Sequence, residues 1–252
     1  MKSENRLALI MRLKPFTGPI PILAALLFAC LPTVSGADFW ETKDYTEWTQ
    51  KDCAKLLTDS PWAQKLELVK TGKLGDSEGA EGQSYVRYSV MIVSALPIRQ
   101  AQVRQAQIAN KYDSLSAEQK QAFDKQTEGF LAADYGDKVV LGASYSTNVQ
   151  ELYQELARYW QTQTAQTLSN LVYLIPGKGD KAQLADYKPP QGAQRDFVFV
   201  FPREVNGNPL LNDQEKSLVL QFSYPVIGGI GDGRGFIEFK VKKMMIKGGI
   251  IY

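Results

Sequence analysis

The sequence predicts an α+β fold: a mainly antiparallel sheet with helices packed on one face and strands concentrated in the C-terminal third. Three observations predict it. Helical patterns cluster in the first two-thirds of the chain, alternating apolar strands follow one another with turn residues between them at the end, and strands and helices do not alternate as a doubly wound sheet requires. The composition is globular, with 252 residues of which 44% are hydrophobic and 22% charged.

The elements follow in order. Lys2, Arg6, Arg12 and Lys14 precede an apolar run from Ile20 to Leu31, and small residues stand at Ser35, Gly36 and Ala37 before the polar Asp38. That is the layout of a removable export signal over residues 1–37, leaving a single α+β domain over 38–252. A bilayer-spanning helix needs about 20 apolar residues, and Pro15, Pro19, Pro21 and Pro32 crowd this stretch. Leu27-Phe28-Ala29-Cys30 also resembles a lipobox, so cleavage after Ala37 and lipidation at Cys30 both stand as expectations. Either way the chain is expected outside the cytoplasm, periplasmic or extracellular, touching membrane through the signal segment or a lipid anchor alone.

Thr49 is placed to N-cap a helix through Leu57, which Asp59-Ser60-Pro61 stops. A strand is expected over Gln64–Lys70, then a glycine- and acid-rich loop over Thr71–Ser84. Tyr85–Ala95 alternates as a strand. Pro97 suits the first turn of a helix running to Lys111, and Ser116 with Gln119 reads as a capping box opening a second helix to Ala133; the two form an αα-hairpin. In the first of these, Ile98, Val103 and Ile108 recur every five residues and so point to different sides. Further strands are expected over Lys138–Tyr145, Leu171–Ile175, Asp196–Phe201, Ser217–Tyr224 and Phe236–Ile246, with an amphipathic helix over Asn148–Leu168 and a short last strand, Ile250–Tyr252, after Gly248-Gly249.

Composition excludes much chemistry. The chain has no histidine and two cysteines. It therefore holds no Ser-His-Asp triad, Cys-His pair or histidine metal ligand, and no cysteine-rich metal site. Once residue 37 is passed, four of the 29 cations and one of the 27 anions are gone, leaving 25 against 26. That balance gives no electrostatic case for nucleic acid. No catalytic residue, cofactor or metal is assigned.

The motifs have plain readings. Gly75-Asp76-Ser77-Glu78-Gly79 matches a nucleophile elbow but lacks a base. Gly228 to Gly235 lacks the Lys-Ser/Thr of a phosphate loop and reads as a flexible hairpin turn. Asp76, Glu78 and Glu81 do not have EF-hand spacing. Trp40, Trp48 and Trp62 lie close together after the signal, either stapling that segment to the sheet or forming an aromatic platform for a glycan, peptide or protein. Arg87, Arg99 and Arg203 would clamp an anion if they converged.

The strings Asp59–Ala63 (DSPWA), Ser94–Ala101 (SALPIRQA), Phe199–Arg203 (FVFPR) and Phe239–Met244 (FKVKKM) resemble a family of uncharacterised exported bacterial proteins. Some members are grouped loosely with GWxTD-domain proteins, although no G-W-x-T-D string occurs here. The resemblance implies export and brings no catalytic residues. The expected role is thus a non-enzymatic binding or structural module of the bacterial envelope, with an envelope protein or glycan as partner. The alternatives are a lipid-anchored accessory protein, or a glycan hydrolase using paired carboxylates drawn from Glu118, Asp124, Glu128, Asp134, Glu151 and Glu155.

Overall fold

Thr49 shows how local signals become structure. Its hydroxyl accepts from the Asp52 amide at 3.2 Å while the Asp52 carboxylate accepts from the Thr49 amide at 3.0 Å, opening helix α2, Gln50–Thr58. A one-turn helix, α1 (Phe39–Thr42), precedes it. The computed structural model describes residues 38–71, 82–192 and 194–252, which belong to one compact unit. Residues 1–37, with Cys30, and the loop holding Gly75–Gly79 and Glu81 lie outside the described residues.

The strands divide between two antiparallel sheets. The first contains β1 (Ala63–Thr71), β2 (Gln83–Ile92), β3 (Lys138–Thr147), β6 (Asp186–Lys188) and β7 (Asp196–Pro202), in the order β1-β2-β3-β7-β6. The second contains β4 (Val172–Pro176), β5 (Ala182–Gln183), β10 (Ser217–Ser223) and β11 (Arg234–Lys240), ordered β11-β10-β4-β5. Alternation drives both. Val86, Tyr88, Val90 and Ile92 of β2 and Val139, Leu141, Ala143 and Tyr145 of β3 face inward, as do Leu218, Leu220 and Phe222 of β10. Two small hairpins complete the strands: β8 (Glu204–Val205) with β9 (Asn208–Pro209), and β12 (Met245–Ile246) with β13 (Gly249–Ile250). The second turns on Lys247 and Gly248, at φ 49° and 83°, the two positive values a type I′ turn needs.

The inner faces meet around helix α5, Gln150–Thr162. Its Leu152, Leu156 and Trp160 are buried. The Trp160 ring stacks on Phe197 at 4.3 Å, and Tyr88 of the first sheet lies 6.0 Å from Trp160 and 5.2 Å from Phe222 of the second. Each such aromatic pair adds about 0.5–1.5 kcal/mol beyond its buried area. Only Leu184 and Ala185 separate β5 from β6, so the chain passes there directly between sheets. On the other side β11 runs beside β1, and a methyl on the buried Gly235 would come within 2.6 Å of Phe222 and 2.9 Å of Leu66.

Helix α3 (Leu96–Ala109) and helix α4 (Ala117–Leu131) form the expected hairpin, and Ser116 and Gln119 close their capping box. The five-residue spacing in α3 is explained by neighbours on several sides: α2, α4 and the turn at Tyr112–Ser114. Helix α4, by contrast, buries no residue completely.

The strand expected to reach Ala95 stops at Ile92, the hairpin helices stop two residues short at Ala109 and Leu131, and two further elements end well short of their expected bounds. The helix expected to reach Leu168 stops at Thr162, because Gln163 is extended (ψ 156°) and Thr164 caps a new turn, α6 (Ala165–Leu168), by exchanging hydrogen bonds with Thr167. The strand expected to reach Ile246 stops at Lys240. Val241–Met244 makes a 3-10 turn there, whose three-residue period buries both Val241 and Met244. Among the described residues no helix is long and apolar enough to cross a membrane.

Candidate functional site

The three N-terminal tryptophans do come together, edge to face. Trp40 lies 5.8 Å from Trp62, and Phe39 bridges them to Trp48, at 5.0 Å from Trp40 and 5.7 Å from Trp48. Trp48 and Trp62 are 1% and 0% exposed, while Trp40 is half-buried. A platform of three open rings is therefore not presented. Trp40 alone reaches a surface recess.

That recess, about 330 Å³ in volume, is the candidate site. Its floor is the turn after α2. Ser60 donates to the Leu56 carbonyl at 2.6 Å and accepts from the Trp62 amide at 3.3 Å, and Gln64 donates to the Ser60 carbonyl at 2.8 Å, so the wall at Pro61 is fixed. Lys55 stands on the exposed side of α2, opposite buried Cys53 and Leu56, with its ammonium 5.5 Å from the Trp40 ring centroid. Glu238 and Lys240 point outward from β11 because Ile237 and Phe239 point inward, and Lys243 follows on the 3-10 turn. Asp38 and Asp59 complete the rim. Lys55, Lys240 and Lys243 thus share a hollow with Asp38, Asp59 and Glu238. Among the described residues none of the six has an oppositely charged partner within 4.0 Å. Such a set suits a ligand with a ring face and charges of both signs. Among the described residues there is no cluster of three metal-ligating side chains.

The arginines do not converge. Arg87 pairs with Glu67, directly across the β1–β2 ladder, at 2.6 and 2.5 Å. Arg99 is 7% exposed, and its Nη1 donates to the carbonyls of Phe130, Leu131 and Ala133 at 3.1, 2.8 and 2.7 Å, closing the C-terminus of α4. Arg203 donates to the carbonyl oxygens of Lys138 and Tyr252 and lies over the Tyr252 ring. Each guanidinium is occupied by a different partner, so no shared anion clamp forms.

The carboxylates named from the sequence are exposed and spread along α4, α5 and the loop after α4. Asp124 and Glu128 line a shallow trough of about 1040 Å³ with Tyr45 and Tyr112, but Asp124 accepts from the Tyr112 hydroxyl at 2.7 and 2.9 Å. Glu118 accepts from Ser116, and these hydrogen bonds to backbone and side chain hold its carboxyl below the usual range. The glycine-rich turn carries no phosphate cradle. Instead the Tyr224 hydroxyl donates to Asp232 at 3.1 Å and accepts from its amide at 3.2 Å, and Lys70 donates to the Gly228 carbonyl. Asp38, Asp59 and Glu238 were not singled out from sequence, since their meeting depends on three distant segments. The nearest local signal was the row of aromatic residues beside them.

No family model matches the chain, and the searches of curated proteins and of solved structures also return no match.

Proposed function

We propose that this chain is an exported bacterial envelope protein that works by binding, and that the Trp40 recess is its ligand site. One observation carries the reading: a half-buried tryptophan ring beside three ammonium and three carboxylate groups, none with an oppositely charged partner within 4.0 Å among the described residues. The basic, apolar, small-residue pattern of the first 37 residues supports export, and the resemblance of four strings to exported proteins points the same way.

The test is calorimetric titration of the purified chain with a disaccharide–tetrapeptide fragment of peptidoglycan, which offers sugar rings and both signs of charge. Binding weakened about tenfold by Trp40→Ala, in a variant whose circular dichroism shows it folded at the temperature of the titration, is the expected result. Absence of binding at millimolar fragment, or binding indifferent to Trp40→Ala, overturns it. Mass spectrometry of the chain from fractions of its producing cell tests export: an N-terminus at Asp38 or an acylated Cys30 supports it, and an intact Met1 terminus on chain confined to the cytoplasmic fraction refutes it.

A second reading, a carboxylate-dependent glycan hydrolase, is favoured by Asp38, Asp59 and Glu238 sharing one recess with an aromatic ring. Release of reducing ends from peptidoglycan, abolished by Asp59→Asn or Glu238→Gln in folded protein, would establish it over the first.

A further inference from the structure

Helix α4 separates two surfaces of opposite character. Lys120, Asp124, Lys125 and Glu128 line the trough on one side. On the other, between α4 and α3, lies a cleft of about 620 Å³ without a single charged side chain in its lining. A lining without charge, with two phenyl rings and several amides, suits an uncharged ligand.

The lining specifies more. Phe123 and Phe130 are seven residues apart on α4, so both face the cleft about 10.5 Å apart along the axis. Gln102, Asn110 and Gln126 supply amides, which donate and accept together, although the Asn110 Nδ2 already donates to the Ala106 carbonyl at 2.8 Å. The Gln102 Oε1 is buried with no donor among the described residues, although its Nε2 reaches the Met91 sulfur at 3.6 Å. Two half-buried phenyl side chains in series with amides beside them fit a linear chain of neutral sugars, whose apolar ring faces pack on aromatic side chains and whose hydroxyl and acetamido groups exchange hydrogen bonds with amides. A charged chain would find no counter-charge.

We infer that the α3–α4 cleft binds a neutral oligosaccharide, as a site separate from the Trp40 recess. The test is nuclear magnetic resonance titration of the purified chain with the β-linked N-acetylglucosamine tetramer. The expected result is millimolar or tighter binding that shifts the α3 and α4 amides, is weakened at least about threefold by the exposed-site variant Gln126→Ala, is lost in Phe123→Leu, and is unchanged in Trp40→Ala. Should Phe123→Leu unfold, Gln126→Ala alone decides. No binding, binding that Gln126→Ala leaves intact, or binding lost with Trp40 overturns the proposal. So does displacement of the tetramer by an uncharged peptide at lower concentration, which would assign the cleft to peptide. Failure of the peptidoglycan fragment at Trp40 leaves these outcomes unaffected, because each site is read by its own variant.

Discussion

The indole Nε1 of Trp62 donates to the carbonyl oxygen of Ile251 at 2.6 Å, joining the turn ahead of β1 to a residue 189 positions later. Both the ring and the bond are shielded, so the N–H is satisfied where water would otherwise be needed. Trp62→Phe keeps an aromatic ring but strands that carbonyl. The expected loss is about 2 kcal/mol in urea unfolding, with the slope unchanged.

Arg99 is a cap made by a side chain from the preceding helix, which binds three carbonyls at the end of α4. Arg99→Met should speed amide exchange across residues 117–131 and cost about 2 kcal/mol. Arg99→Lys should recover only part, because an ammonium gives up the guanidinium's stacking over the Tyr135 ring, 5.0 Å away. Unchanged exchange in α4 would refute this role.

Alkaline pH should unfold the protein through its tyrosines. Burial raises the phenols of Tyr88 and Tyr187 above their ordinary value and pushes Tyr145 up to about 12. A raised folded value means that the stabilisation is complete below the unfolded value near 10 and is lost as pH climbs toward 12. Each such group removes up to about 1.4 kcal/mol per pH unit in that window. Urea midpoints should fall steeply above pH 10, with tyrosinate absorbance appearing together with loss of structure. Independent titration of these phenols near pH 10 would count against it.

At the acid end, the Thr49 amide bond holds the Asp52 carboxyl below its usual range. The lowered value makes its contribution complete above about pH 4 and lost as pH falls below that. Thr49→Ala should cost about 1 kcal/mol at neutral pH. Asp52→Asn should flatten the acid limb of the stability profile.

What was legible in the sequence was local. The caps at Thr49 and Ser116, the strand alternation of β2 and β10, and the amphipathic face of α5 depend on residues within a few positions, and the structure has them where expected. The stop at Gln163 was hidden because a Thr-Thr cap resembles ordinary helix surface. The partition into two sheets was hidden because pairing is chosen across the chain: β3 joins β7 instead of its successor β4. For the same reason Arg99 reads from the sequence as one arm of an anion clamp, when its partners are carbonyls over thirty residues on, and Asp59 and Glu238 give no sign of sharing a recess.

Gly235 has a mechanical consequence. The strands it allows to touch, β11 and β1, are outer members of different sheets, joined by no ladder among the described residues. Close fit holds that boundary, without a row of directional bonds to resist parting. Opposite it, the short step from β5 to β6 is a covalent spine. On warming, the molecule should open as a book does, pages parting first at Leu66 and Gly235 while the binding beside Leu184 stays shut.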